Sequence, residues 1–149
     1  MTKTAEAPPG GAAYRYIETS ALLAARLEDD RSALEAIRGE GLRFASALTI
    51  AEANRNIVRA YAGGKLTAVE YRATLRWIRR FEKRCEVVAI SQEVLNRVAK
   101  PFAGEPLRTL DAIHLATAEL VDEQPQLVTI VTRDRRIREN AVALGFMVE

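Results

Sequence analysis

Four carboxylates stand where short apolar runs give way to helical periods. Glu18 directly follows Tyr14–Ile17, and Glu52 lies in the first turn of the helix expected after Leu42–Ala45. Asp111 falls in Thr109-Leu110-Asp111-Ala112-Ile113-His114, and Asp134 closes Thr132-Arg133-Asp134 after Leu127–Val131. If these acids converge, they repel one another unless a hard cation neutralises them. Mg2+ or Mn2+ suits such oxygen ligands, taking a few carboxylates and keeping several waters. A cation held this way acidifies a bound water and stabilises charge on a phosphodiester. Each acid except one also has a structural reading. Glu52 completes a Thr49-x-x-Glu52 capping box, Asp134 can be an N-cap, and Asp111 sits in a first turn where the helix dipole favours anions. Glu18 resists that reading, because an acid within YIETSALL is costly to bury unless paired or liganded.

The other chemistry-bearing residues are sparse. His114 is the single histidine, which excludes paired-histidine acid–base catalysis. It lies three residues after Asp111, on roughly the same helix face, and reads as a satisfied core histidine. No G-x-S-x-G, P-loop or G-x-G-x-x-G is present. Cys85 is the only cysteine and reads as a small buried hydrophobe beside a strand. With no disulfide framework and no export signal, the cytosol is the expected compartment.

Charge is unevenly spread. Between Arg55 and Arg84 nine basic residues face two acidic ones, whereas the whole chain nets only +2, so the remainder is acidic. Arg72, Arg76, Arg79, Arg80 and Lys83 recur at helical steps and share one face. That face is either solvated or a surface for RNA phosphates or a protein partner. Trp77 and Phe81 between them read as core or dimer contacts rather than base-stacking platforms.

Positioning the acids requires a particular scaffold. Ordinary globular composition over 149 residues, with 48% hydrophobic and 28% charged, predicts one domain with a sizeable core. The first thirteen residues, with Pro8-Pro9-Gly10-Gly11, read as a disordered leader rather than a signal peptide, leaving 14–149 as the folded unit. Strands are expected at Tyr14–Ile17, Leu42–Ala45, Glu86–Ile90, Leu127–Val131 and Phe146–Val148. Between them run helices from about Ser20 to Glu28, from a Ser32-Ala33-Leu34-Glu35 capping box to Gly39, Thr49–Tyr61, and Thr67 to about Phe81. Further helices run from Ser91 to before Pro101, over Thr109–Val121, and over Asp134–Leu144. Strands separated by helices cannot be hairpins. They predict a parallel sheet covered on both faces, a three-layer α/β/α sandwich whose ligands bind beyond the strands' carboxyl ends.

YIETSALL at 16–23, SALTIAEANR at 46–55, LRTLDAIHLATA at 107–118 and VTRDRRIRENAVALGF at 131–146 together resemble the four signature blocks of PIN-domain proteins. They stand in the family's order and spacing, and the likeness is greatest to the VapC-type toxins of type II toxin–antitoxin systems. The resemblance implies an α/β/α fold and a Mg2+- or Mn2+-dependent endoribonuclease. It also implies a protein antitoxin as partner, RNA as substrate, and a homodimer. The family's metal-binding acids carry over onto Glu18, Glu52, Asp111 and Asp134. All four are expected to serve catalysis, and Glu18, Asp111 and Asp134 to hold the metal. Thr19, or Ser20 beside it, matches the family's hydroxyl position near the metal and is expected to position substrate. The family's first acid is usually aspartate, so Glu18 is a departure that sets the ion farther out or holds it less tightly. The alternative is an attenuated module of the same fold that binds RNA or antitoxin. A phospho-acceptor signalling domain is disfavoured: it wants an acidic pair near the first strand and a late lysine at a strand end, and the last lysine is Lys100.

Overall fold

Strand β1 (Tyr14–Ile17) occupies the centre of a five-stranded sheet in the computed structural model, which describes residues 13–149. The order is β3 (Glu86–Val88), β2 (Leu42–Ser46), β1, β4 (Val128–Val131), β5 (Met147–Val148), and every pairing is parallel. The chain builds outward from β1 to one side, then returns to its other side with β4. That reversal opens a crevice beyond the carboxyl ends of β1 and β4, where ligands of parallel sheets bind. The expected leader lies outside the described residues except Ala13, which is buried and whose carbonyl accepts from the Leu42 N–H.

Seven helices cover the two faces: α1 (Thr19–Leu27), α2 (Arg31–Arg38), α3 (Ala47–Ala62), α4 (Ala68–Lys83), α5 (Gln92–Val98), α6 (Thr109–Glu119) and α7 (Arg135–Ala143). Alternation along the central strands divides the core. Tyr16 and Ile130 pack with Val94, Leu115, Ile137 and Phe146 on one face. Ile17 and Val131 pack with Leu22, Ile37, Ile57 and Ile78 on the other. Each such fully buried side chain contributes roughly 1.5–3 kcal/mol of transfer free energy, so the sheet edge carrying the acids is anchored from both sides. Arg15 in β1 is buried too, its guanidinium satisfied by the Glu40 and Ala36 carbonyls and by Glu149 at 2.8 Å. It lies directly over Gly39, where a Cβ would meet the guanidinium carbon at 2.3 Å. A side chain at the α2 C-cap, Gly39, would crowd this buried guanidinium.

Several expected boundaries shift, each for a local reason. The Ser32–Glu35 capping box does not form: Asp30 caps α2 by accepting from the Ala33 N–H, and Ser32 donates to Asp30 instead. Helix α3 starts at Ala47 with Ser46 as its cap, so Thr49 lies inside the helix and its hydroxyl donates to the Ile17 carbonyl. That removes the capping-box reading of Glu52. The Thr67–Glu70 box does form. Strand β3 stops at Val88, short of Ile90, and α6 ends at Glu119. The 3-10 turn Pro125–Leu127 takes the first residue expected in β4.

Candidate active site at the carboxyl edge of the sheet

The chain leaves β1 at Glu18, whose extended backbone lets its side chain fold back onto α1 as the N-cap. The carboxylate is buried. Oε1 accepts from the Ser20 N–H at 3.1 Å, and Oε2 accepts from the Ser20 hydroxyl and from the Thr132 hydroxyl at 2.8 Å. What compensates its burial is a set of hydroxyl and amide donors. Thr132, at the end of β4, accepts from the Asp134 N–H in the same geometry, tying the two strand ends together. Asp134 then turns its Oδ1 onto the Arg136 and Ile137 N–H groups and caps α7. Glu18, which had no structural reading in the sequence, is thus a helix cap, and the capping reading of Asp134 is realised as well.

Glu52 and Asp111 behave otherwise. Glu52 projects from α3 toward α6. Its Oε1 accepts from His114 Nε2 at 2.7 Å and from the Thr19 hydroxyl at 2.8 Å. Burial pushes its carboxyl up, but the His114 and Thr19 hydrogen bonds outweigh that, and its pKa lies below the usual carboxylate range. Among the described residues Oε2 has no hydrogen-bond partner, and the side chain is 26% exposed. Asp111 sits in the first turn of α6 without capping it, and is buried. Its one cationic neighbour among the described residues is Arg108 at 3.3 Å, itself largely exposed.

His114 joins the two halves. It is buried, one turn along α6 from Asp111, with Nε2 against Glu52 and 3.8 Å from Glu18 Oε1. Nδ1 lies 2.8 Å from the Tyr16 hydroxyl. The reading of a satisfied core histidine fits: the ring is buried and both its nitrogens are engaged. Nothing in the sequence marks Tyr16 as its partner; only the parallel register of β1 beneath α6 brings them together.

The donor set fits a hard divalent cation in kind. Of the two buried carboxylates only Asp111 meets a guanidinium, and Glu18 is held by hydroxyls and an amide, an excess of negative charge that a cation would relieve. Yet among the described residues no three Asp, Glu, His or Cys side chains lie close enough to hold an ion together. The arrangement therefore suits Mg2+ or Mn2+ held by one or two carboxylates and water, not a closed cage. Glu18 and Glu52 meet through His114, Glu18 and Asp134 through Thr132, while Asp111 is turned to Arg108.

The basic face lies elsewhere. Arg72, Arg76, Arg79 and Arg80 are exposed on α4 and take part in no ion pair among the described residues. A groove of about 220 Å³ beside them is lined by Leu34, Trp77, Phe81 and by Arg38, Arg43, Arg80 and Arg84. Trp77 and Phe81 are half-buried, packed against the α1–α2 core. Cys85 is only partly buried, and burial pushes its thiol up to about 12. No helix among the described residues is long and apolar enough to cross a membrane.

Residues 15–143 match the PIN domain. Ribonuclease VapC35 of Mycobacterium tuberculosis is 37% identical over 137 residues, covering 89% of this chain and 93% of that protein. Among solved structures, VapBC2 from Rickettsia felis, bound to a DNA fragment from its promoter, superposes with a TM-score of 0.60 at 14% identity over 91% of this chain and 97% of that one. VapBC-1 from nontypeable Haemophilus influenzae gives 0.61 at 14% identity, over 91% and 96%. At that identity the two structures speak for the fold.

Proposed function

The chain belongs to the PIN-domain family, and on that premise we propose that it is a cytosolic, Mg2+- or Mn2+-dependent endoribonuclease, the toxin half of a toxin–antitoxin pair. The observation that carries the reading is Glu52: ionised, partly exposed, with one oxygen free, beside a buried Glu18 at the carboxyl edge of the sheet. Glu18, Asp111 and Asp134 are the acids proposed to serve the cation, one or two of them directly and the rest through its waters. When bound, it supplies an acidified water and charge neutralisation at the phosphodiester. Glu52 Oε2 is placed to accept a hydrogen from a water entering the edge, its other oxygen being fixed by His114 and Thr19. Thr19 and Ser20 position substrate directly or through the carboxylates they hold. Arg72, Arg76, Arg79 and Arg80 offer unpaired positive charge to RNA phosphates or to an antitoxin, and a second copy of the chain is a further proposed partner.

The test is cleavage of RNA by the purified chain with Mg2+ or Mn2+, with chelator, and with Asp111→Asn. Cation-dependent cutting that leaves 5′-phosphate ends, and falls on the order of a hundredfold or more in the variant, supports the reading. Equal cutting in chelator or by the variant overturns it. One observation favours a second reading, a binding module of the same fold: both Glu18 oxygens are already engaged by Ser20 and Thr132. Salt-sensitive RNA or antitoxin binding by a chain that never cuts would select that reading.

A further inference from the structure

The chemistry of its neighbours fixes how His114 is used. The Glu52 carboxylate is ionised and can only accept, so the hydrogen on the 2.7 Å contact belongs to Nε2. The Thr19 hydroxyl donates to the same Glu52 oxygen, which leaves its 3.3 Å approach to Nε2 secondary. On the other side of the ring, Tyr16 is fully buried in the central strand. With the ring hydrogen on Nε2, Nδ1 can only accept, so the Tyr16 hydroxyl 2.8 Å away donates to it. The imidazole is thereby held between a strand in the core and an acid at the edge, with no buried side-chain polar atom left unsatisfied among the described residues. Glu52 has no backbone cap to hold it, unlike Glu18 and Asp134. Its direction depends on His114 and Thr19.

We propose that His114 is a positioning residue for the reaction: its Nε2–H, aligned by the Tyr16 hydroxyl, fixes the Glu52 carboxylate so that the opposite oxygen faces the edge. The proposal rests on the carboxyl edge being the active site. A misdirected carboxylate costs rate steeply, since small displacements of reacting groups are worth on the order of a hundredfold.

Four full-length proteins test it: the parent, His114→Gln, His114→Leu and Tyr16→Phe. Glutamine places an amide N–H near the Nε2 position and keeps the donor to Glu52; leucine fills much of the ring's volume and removes it. Expected results are a loss of kcat/KM on RNA of roughly tenfold to a hundredfold in His114→Leu, recovery of most of that loss in His114→Gln, and an intermediate loss in Tyr16→Phe. Without metal or substrate, nitrogen-15 NMR of the parent at neutral pH should show a bare Nδ1 and a protonated Nε2. The Glu52 carboxyl carbon resonance should stay near its parent position in His114→Gln and move in His114→Leu. A parent ring protonated on Nδ1 alone overturns the proposal, as does a folded His114→Leu that cleaves like the parent, or a glutamine variant no better than leucine. If His114→Leu does not fold, His114→Gln and Tyr16→Phe still decide through the ring and carboxyl resonances. A parent that cuts no RNA refutes the ribonuclease reading, while the NMR result still judges His114.

Discussion

At the β1–α1 and β4–α7 junctions, Glu18 and Asp134 turn their carboxylates into the helices they begin. Across the same edge, Glu52 and Asp111 cap nothing: one is held by a histidine and a threonine, the other by an exposed arginine. The two halves have the same residue chemistry and opposite mechanical status. The capping acids are held by backbone amides at the start of their helices, Glu18 with the Ser20 and Thr132 hydroxyls besides. The others are positioned by side chains and are free to respond to a ligand. The difference teaches that a cluster of acids at a strand edge is two populations, one that builds the edge and one that the edge presents. Substitutions should separate them by moving stability in one half and activity in the other.

The largest separation is expected at Glu52. Glu52→Gln keeps the side chain's length and its place beside Thr19, but removes the charge that the unattached oxygen offers. RNA cleavage should fall on the order of a hundredfold, with a thermal midpoint within a few degrees of the parent. A midpoint that collapses together with activity would place Glu52 among the structural acids and erase the contrast.

Glu18 tests the boundary, since it is both buried and capping. Glu18→Asp restores the residue usual in the family and is itself a strong N-cap, so the fold should hold. Its shorter arm reaches less far toward Thr132, freeing an oxygen that now accepts from that hydroxyl. Cleavage should rise, or saturate at lower Mg2+, by a few-fold. Glu18→Gln puts an amide among donors from Ser20 and Thr132 and should lower both stability and cleavage. If Glu18→Gln cuts RNA as fast as the parent at limiting Mg2+, Glu18 belongs wholly to the structural half.

How much of this was legible depends on how local the cause is. The order of elements, the parallel sheet and the places of Glu18, Asp111 and Asp134 at element ends follow from short-range apolar periodicity and chain connectivity, and those held; Glu52, expected in a first turn, lies in the second turn of α3. Cap assignments follow from competition between neighbours a few residues apart, and there the sequence pattern misled three times, first at α2, where Asp30 takes the cap from Ser32. Glu52 had the best structural excuse, a box with Thr49, yet Ser46 began the helix earlier and released it. Glu18 had none, yet it is a cap, because an extended backbone at the end of β1 lets a glutamate reach the second amide of its own helix. The Tyr16–His114–Glu52 chain was not legible at all. It joins residues 98 and 62 positions apart that only tertiary packing brings together.

Asp134 gives a smaller and purely structural effect. Asp134→Ala removes the acceptor for the Arg136 and Ile137 N–H groups at the start of α7. Loss of such a cap costs about 1 kcal/mol, a few degrees in thermal midpoint for a domain of this size. Asp134→Asn keeps the cap and should recover most of that loss. Comparing the two variants separates capping from charge: cleavage that tracks the midpoint assigns Asp134 to the edge's construction, and cleavage lost in Asp134→Asn at full stability assigns it to cation holding.

The smallest effect is expected at Asp30, an acid with no part in the proposed chemistry, which calibrates the structural half. It caps α2 and pairs with Arg133, the residue just before Asp134, at 2.8 Å. The Arg133 hydrogen bond first, then the Ala33 N–H and the Ser32 hydroxyl, hold its carboxyl well below the usual carboxylate range. A folded-state pKa below the unfolded value means the native state favours the ionised form. The stabilisation is then complete above the unfolded value, near pH 4 for an ordinary aspartate at about 3.9, and drains away as pH falls below it toward the folded value. Asp30→Asn should therefore cost little more than a surface ion pair at neutral pH and flatten the acid limb of a denaturant-midpoint titration between about pH 4 and pH 2. The side chain is 27% exposed and solvent screens the pair in part, so the change should be small. A variant whose acid limb keeps the parent's slope would show that the Asp30–Arg133 pair does not tie α2 to the β4–α7 junction in solution, and that the capping acids hold this edge alone.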